Sequence, residues 1–226
     1  LSDESREAGG STAVSDAKKV ADALNIPHYV VNYHKKFKDD VIKYFISEYA
    51  KGRTPNPCVR CNNTVKFGSL LKDCLELGAD CVATGHYARI EQDEKTGRYL
   101  LKKGLDVRKD QSYVLYTLTQ DVLKHFILPL GNYSKEKTRE LAGKMNLPVA
   151  NKPESQEICF IPNDDYKAYL KAKAPHILKP GDIVDVNGNK LGRHEGVPLY
   201  TVGQRKGLGI AAAHPLYVVG LDGKRN

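Results

Sequence analysis

One stretch of the sequence constrains the fold more than any other, because it steps from an amphipathic helix to a short apolar strand. Apolar side chains recur at helical spacing from Val65 to Leu75, and the pattern stops at Gly78, a residue type that commonly follows helices. Residues 81–84 follow as a short apolar run of the kind that forms buried strands. Helices and buried strands in alternation are typical of a parallel sheet with helices on both faces. The chain is therefore predicted to be an α/β protein.

Other segments extend this architecture. Residues 29–31 are predicted to form another buried strand, and residues 89–103 are predicted to form a hairpin. Helical patterns at 119–126 and 134–145 predict a helical extension, and the second of these helices would present basic side chains to RNA.

The pattern changes near residue 175. Beyond Pro175 the sequence turns to short strand-like runs, two of which are joined around Asn187-Gly188, a dipeptide that favours a type I′ hairpin turn. We therefore predict an α/β domain over residues 1–174 and a small β-rich domain over residues 175–226.

The charge balance and the lack of long apolar segments narrow the class of protein. Lys and Arg outnumber Asp and Glu by 35 to 27, a net charge of +8, which suits a polyanion such as RNA but also fits solvated helix faces. No apolar run approaches the roughly 18 residues of a membrane helix, and no basic leader with an apolar core opens the chain. We expect a cytoplasmic protein without membrane contact, whose five cysteines are mostly reduced.

Two thiols stand in a Cys-x-x-Cys spacing, at Cys58 and Cys61, directly after Pro55 and Pro57. Because the prolines restrict the backbone, the spacing is predicted to bring both thiols onto one side of a turn. A third thiol, Cys159, lies far along the chain and would be their partner. Spacing alone leaves a redox pair, a set of metal ligands and incidental thiols all open.

Two other places carry candidate binding residues. Gly85 and His86 follow the strand at 81–84, the end of a parallel strand at which ligands bind, although a lone histidine is more often structural. Arg205 and Lys206 lie in a glycine-rich turn whose amides and cations suit a phosphate, although many such turns bind none.

Five separated motifs occur in order along the chain. They are Thr-Pro-Asn-Pro-Cys-Val-Arg-Cys-Asn at residues 54–62, Ala-Thr-Gly-His-Tyr at 83–87, Lys-Asp-Gln-Ser-Tyr at 109–113, Ile-Cys-Phe at 158–160 and Gly-Gln-Arg-Lys-Gly-Leu-Gly at 203–209. Together they resemble the motifs of the tRNA-specific 2-thiouridylases, a family of PP-loop ATP pyrophosphatases. The resemblance runs along essentially the whole chain.

This resemblance implies a fold and an activity. Residues 1–174 would form the PP-loop domain, which is adenine nucleotide alpha hydrolase-like, together with its helical extension. The enzyme would use ATP and Mg²⁺ to replace the C2 oxygen of the wobble uridine in certain tRNAs with sulfur. Its partners would be tRNA and a sulfur-donor protein or cysteine desulfurase relay.

The resemblance also implies roles for individual residues. Cys61 matches the family's nucleophile, and Cys159 matches the cysteine that bears a persulfide. The residues matched to the target base are Asn56, Pro57 and Cys58, Gly85 matches a nucleotide contact, and the matched tRNA contacts are His86, Lys109, Asp110 and Gln111. Arg205 and Lys206 are predicted to contact tRNA because they are cations in a glycine-rich turn.

The chain departs from the family pattern at its ends. The phosphate-binding Ser-Gly-Gly-x-Asp-Ser loop is expected upstream of Leu1, and the C-terminal β-barrel is expected beyond Asn226. The chain by itself is therefore expected to lack productive ATP chemistry.

A second departure concerns Cys58, because many relatives have Asp at this position. The additional thiol motivates the hypothesis that Cys58, Cys61 and Cys159 bind an iron–sulfur cluster, which would carry sulfur on its fourth iron. The competing hypothesis is a non-catalytic RNA-binding module, whose structural zinc would be held by the same three cysteines and His86.

Overall fold

The computed structural model describes residues 7–152 and 158–226, with their side chains from residue 13 onward. The helices are α1 (Glu7–Leu24), α2 (His34–Phe37), α3 (Lys43–Ala50), α4 (Pro57–Cys61), α5 (Leu71–Glu76), α6 (Gln120–Leu123), α7 (Lys135–Lys144) and α8 (Tyr166–Lys173). Along the chain, π-helical residues Lys38–Ile42 join α2 to α3, and Asn62–Leu70 join α4 to α5. The strands are β1 (Val82–Ala83), β2 (Ala88–Gln92), β3 (Tyr99–Lys103), β4 (Phe126–Ile127), β5 (Gly181–Val184) and β6 (Lys190–His194).

The described residues form two compact units. The first lies within Leu1–Phe37 and Cys58–Gln156, and the second lies within Lys38–Pro57 and Glu157–Asn226. Among the described residues, no helix has the length and apolar character needed to cross a membrane.

The first unit contains a parallel strand pair, although one of its strands begins in a segment that was predicted as helix. β1 pairs in parallel with β4, and Val82 lies opposite Phe126. β2 and β3 form the predicted antiparallel hairpin, in which Ala88 lies opposite Lys103. Helices mixed with parallel and antiparallel strands confirm the α/β class.

The core of the first unit lies between these strands and the helix that follows the two thiols. Its buried members are Phe67, Leu71, Ala88, Val114, Leu115, Phe126 and Leu128. The rings of Phe67 and Phe126 meet edge to face with centroids 4.2 Å apart, a geometry that aromatic pairs favour. The strand ends and the thiol-bearing helix are therefore attached to one packed core.

The second unit is built around aromatic side chains. Phe45 is fully buried on α3, and its ring meets Phe160 edge to face at a centroid distance of 5.3 Å. Tyr49 stacks on Tyr166 of α8 at 5.0 Å. This cluster holds α3 and α8 in one unit with the residues next to Cys159.

Two predicted elements differ in the structure. Residues 29–31 form no strand and are exposed instead of buried, because no strand pairs with them in the part of the chain that the structure describes. The helix predicted at 119–126 ends at Leu123, and Phe126 belongs to β4. A two-residue strand carries too little local pattern to be distinguished from the last turn of a helix.

The hairpin of the second unit forms, but its turn is not type I′. That turn needs positive φ at both central residues, and of the pair only Gly188 has it, with φ 88°. The strands are instead joined by a longer loop that Asp185 stabilises, since its Oδ1 accepts from the N–H groups of Asn187 and Asn189 at 2.8 Å. Aspartate commonly builds turns by bonding its own following backbone.

Candidate functional site

The segment that precedes the two thiols is fixed by a buried carboxylate. Glu48 is 9% exposed and pairs with Arg53 Nε at 2.5 Å and with Lys51 Nζ at 3.0 Å. These cations, Arg53 first, hold the pKa of Glu48 below its ordinary value. Beyond them, Asn56 is exposed and Pro57 is buried. The predicted base-receiving segment therefore has an anchored entry and an accessible amide side chain.

The thiols of Cys58 and Cys61 lie in a helix, which corrects the prediction of a turn. Pro57 opens α4, a position that suits proline because its φ is already helical and its missing N–H would have had no helical partner. Cys58 is exposed, whereas Cys61 is 7% exposed. Residues three apart are neighbours on a helix, so both thiols occupy one face. Cys58 lies in the first turn of α4, where amide dipoles favour negative charge.

The residues after Cys61 attach this helix to the core of the first unit. Asn62 is 2% exposed, and its Nδ2 donates to the carbonyl oxygen of Val114 at 3.0 Å. Val65 and Phe67 are almost fully buried. Cys61 is thus held by a buried polar bond and by packing on its C-terminal side.

Cys159 lies in the second unit, beside two of its most buried residues. Phe160 is 1% exposed and Ile161 is not exposed at all, while Cys159 itself is exposed. The Phe160 ring also meets Tyr169 of α8 edge to face at 5.5 Å. An accessible sulfur is therefore carried by a backbone anchored in the aromatic core.

Gly85 and His86 follow β1, at the predicted edge of the parallel pair. Gly85 is exposed, but His86 is only 8% exposed and packs against Phe67 at a centroid distance of 5.7 Å. Its Nδ1 lies 2.8 Å from Thr84 Oγ1, within hydrogen-bonding distance. Burial, and secondarily the charge of Lys66, lowers the pKa of His86 to about 4. The imidazole is therefore neutral at neutral pH.

This shifted pKa of His86 predicts a pH dependence of stability. The unfolded chain would bind a proton near the ordinary value of 6.5, whereas the folded chain binds it near 4. Stability is therefore complete above pH 6.5 and falls as the pH drops towards 4, by up to about 3 kcal/mol. Urea unfolding between pH 7 and 4 measures how the free energy of unfolding changes with pH. In His86→Gln, the slope of this free energy against pH should lose the part that His86 contributes. His34→Gln, at an exposed histidine of the same unit, should keep it. Equal slopes in both variants would contradict the assignment.

Asp110 and Gln111, predicted as tRNA contacts, make internal hydrogen bonds. Asp110 Oδ1 accepts from Gly104 N–H at 2.8 Å, and its Oδ2 accepts from Ser112 Oγ at 2.7 Å. Burial alone would raise the pKa of Asp110, but these bonds lower it below its ordinary value. Gln111 Oε1 accepts from Tyr87 N–H at 3.0 Å, and Gln111 N–H donates to Tyr87 O at 2.8 Å. The half-buried Lys109 is thus carried on a loop tied to the residue after His86.

Asp106 is a structural residue that sequence analysis missed. It is 8% exposed, its Oδ2 accepts from Lys135 N–H at 3.1 Å, and its Oδ1 accepts from Arg108 N–H at 3.1 Å. The bond from Lys135 contributes most to holding the pKa of Asp106 below its ordinary value. The local bond to Arg108 has a sequence signal, aspartate two residues before the donor. The bond to the start of α7 is tertiary and has none.

Arg205 and Lys206 lie in the second unit, on a turn built around Gln204. Gln204 Oε1 accepts from Thr201 N–H at 3.2 Å, and its Nε2 donates to Lys206 O at 2.8 Å. Gly207 continues the turn with φ 75°. Both cations are exposed on a loop whose backbone is internally bonded.

The structure brings some of the predicted residues together. Cys58 and Cys61 share α4, and Gln111 is bonded to the residue that follows His86. Cys159 belongs to the other unit. In the parts of the chain that the structure describes, no group of three or more His, Cys, Asp or Glu residues is placed to hold a metal ion.

Comparison with known families matches two domain models. The model described as the tRNA methyl transferase HUP domain matches residues 2–163, and the model described as the tRNA methyl transferase PRC-barrel domain matches residues 167–226. A PP-loop type α/β domain followed by a small β-rich domain is thereby confirmed.

Curated relatives carry a more specific name. The tRNA-specific 2-thiouridylase MnmA 1 of Caldanaerobacter subterraneus subsp. tengcongensis is 60% identical over 95% of this chain and 59% of its own length. The tRNA-specific 2-thiouridylase MnmA of Carboxydothermus hydrogenoformans is 56% identical with the same coverage. That of Moorella thermoacetica is 54% identical over 95% of this chain and 60% of its own length. The chain thus spans about three fifths of the length of these relatives.

Proposed function

We propose that this chain, which belongs to the family of tRNA-specific 2-thiouridylases, is part of an ATP-dependent enzyme that replaces the C2 oxygen of the wobble uridine in tRNA with sulfur. The observation that carries the proposal is the 60% identity to a relative of that name over 95% of the chain. Thiols on α4 and beside Phe160 supply the sulfur chemistry that such a reaction needs.

The proposed reaction begins with ATP. The uridine C2 oxygen attacks the α-phosphorus of ATP, pyrophosphate leaves, and C2 now carries an oxygen that can depart with AMP. The outer sulfur of a persulfide on Cys159 attacks C2, and AMP leaves with the original oxygen. The Cys61 thiolate then attacks the Cys159 sulfur, so that a Cys61–Cys159 disulfide forms and the transferred sulfur stays on C2. A dithiol reductant returns both cysteines to thiols.

The burial of the two cysteines suits these separate roles. The exposed Cys159 is accessible to a sulfur-donor protein or cysteine desulfurase relay, which would load the persulfide. Cys61 is 7% exposed, so its thiol would be sheltered from oxidants until tRNA binds. Asn56, Pro57 and Cys58 precede it directly and would receive the uracil ring.

The geometry of each segment supports the proposed nucleotide and tRNA contacts. Gly85 is exposed and has no side chain, so a nucleotide can approach its backbone closely. His86 is buried and neutral, so it would act on tRNA by supporting the exposed Gly85 beside it and not through a charge. Lys109 would contact a phosphate, while Asp110 and Gln111 give its loop a fixed shape.

No step of the proposed reaction uses a metal ion bound by protein side chains. Mg²⁺ would neutralise the phosphates of ATP, and the described residues contain no group of three or more His, Cys, Asp or Glu placed to hold a metal ion. The same finding gives no support to the structural zinc or to an iron–sulfur cluster on Cys58, Cys61 and Cys159. The cluster stays a prediction, and it would require protein purified without oxygen to be brown and to contain equal amounts of iron and sulfide.

The direct test is product analysis. Full-length protein, ATP, a persulfide donor and an unmodified tRNA transcript should yield 2-thiouridine at the wobble position, detected by mass spectrometry of nucleosides. Omission of ATP should abolish the product. Protein that binds tRNA but forms no 2-thiouridine under these conditions would reject the enzyme in favour of a binding module.

A separate prediction concerns Lys109. Lys109→Met should weaken binding of the tRNA transcript and reduce the slope of log affinity against log salt by about 1, because one phosphate contact is lost. Lys18→Met, at an exposed lysine paired with Asp22 in the same unit, should change neither quantity. Titrations between low and physiological salt measure both, and an unchanged slope in Lys109→Met would exclude the contact.

A further inference from the structure

A groove in the second unit lies next to the basic turn. It is lined by Arg205 and by residues 207–216, mostly glycine, alanine and other apolar residues. Residues 201–219 contain no Asp or Glu. The groove therefore offers cationic charge without an acidic side chain from its own segment to neutralise it.

Lys167 adds a third cation at this place. It lies on α8, and its Nζ is 4.0 Å from the position that a Cβ would occupy on Gly207, a residue that lines the groove. The ammonium sits over the Tyr200 ring, 5.6 Å from the centroid. Such cation–π contacts hold a cation in place without cancelling its charge. No carboxylate of the described residues lies within ion-pair distance of Lys167.

Lys171, one turn further along α8, differs from Lys167 in this respect. Its Nζ pairs with Glu195 Oε2 at 2.6 Å. Two lysines on one helix are thus distinguished by geometry, because one is neutralised by a carboxylate and the other is supported by an aromatic ring beside the groove.

We propose that Lys167, Arg205 and Lys206 bind consecutive phosphates of an RNA strand at this groove, with Lys167 positioned by the ring of Tyr200. This inference rests on the proposed function and names a second tRNA surface, on the small C-terminal unit. The lining offers few side-chain donors or acceptors that could read bases, so the contact is to the sugar–phosphate backbone and independent of sequence. Charge complementarity decides the occupant, because a polyanionic strand matches three cations, two of which lie in a segment without acidic residues.

The test uses the full-length protein and an unmodified tRNA transcript. Lys167→Met should weaken binding several-fold at low salt and reduce the slope of log affinity against log salt by about 1. Lys171→Met is the matched control on the same helix and should leave the slope unchanged. Lys167→Arg should retain the slope, and Tyr200→Leu should weaken binding in the same direction as Lys167→Met.

Two results would overturn the inference. One is an unchanged salt slope in a folded Lys167→Met variant, and the other is an equal loss in Lys171→Met, which would indicate a general charge effect. A transcript of unrelated sequence should show the same dependence on Lys167, and dependence confined to the cognate tRNA would contradict backbone contact. If 2-thiouridine formation failed while the Lys167 effect persisted, the proposed function would be rejected and RNA binding at the groove would still be supported. If thiolation occurred without the Lys167 effect, the groove alone would be rejected.

Discussion

Replacing Cys61 or Cys159 with serine is expected to lower the rate of tRNA thiolation by about 10⁴-fold or more, since each removes a group that forms or breaks a bond in the reaction. Serine is close to cysteine in size, but its oxygen neither carries a persulfide nor exchanges with a disulfide. Nucleoside analysis of tRNA after incubation with ATP and a persulfide donor measures the effect.

The chain provides its own controls for this experiment. Cys81 is exposed directly before β1, and Cys74 is half-buried on α5. Cys81→Ser and Cys74→Ser make the same chemical change outside the proposed site and should retain near wild-type rates. Thiolation by Cys61→Ser or Cys159→Ser at the rate of these controls would refute the two-thiol mechanism.

The second large effect is expected at Gly131, in the core of the first unit. A Cβ at this position would overlap the carbonyl oxygen of Ala88 and lie 2.6 Å from its carbonyl carbon. Gly131 O also accepts from Leu105 N–H at 2.8 Å, and Ala88 is fully buried. Neither the backbone at Gly131 nor that at Ala88 can move without disturbing the hairpin that follows His86. Gly131→Ala should therefore lower the free energy of unfolding by about 3 kcal/mol.

The same substitution at Gly143 should raise the free energy of unfolding instead of lowering it. Gly143 lies near the end of α7, and a Cβ there would have no neighbour within 4 Å. Alanine costs less backbone entropy than glycine in a helix, so Gly143→Ala should stabilise by about 0.5 kcal/mol. Urea unfolding followed by circular dichroism compares the two variants. Equal stabilities of both would contradict the close approach of Gly131 to Ala88.

Local patterns predicted the elements that depend on local signals. The hairpin at 89–103 forms because two strand-like runs flank a turn in which Asp93 Oδ1 accepts from the N–H groups of Lys95 and Thr96. The helix predicted from 134 forms because Ser134 Oγ accepts from Lys137 N–H at its start.

Tertiary features were beyond such patterns. Phe126 was predicted as helical because its pairing with Val82 is a contact between distant segments. Asp110 and Gln111 look like exposed polar residues in the sequence, and only the fold reveals that their side chains bond to Gly104 and Tyr87. Lys167 gave no sequence signal, since its place beside the groove depends on a helix and a loop that meet within the second unit.

The most direct test of the two-thiol mechanism follows one sulfur atom through a single turnover. Full-length protein is loaded with radioactive sulfur as a persulfide, the donor is removed, and tRNA is added with or without ATP. The two-thiol mechanism predicts that the label begins on Cys159, moves to uridine only with ATP, and leaves one Cys61–Cys159 disulfide for each sulfur transferred. Label that reaches tRNA without ATP, or without formation of that disulfide, would contradict it.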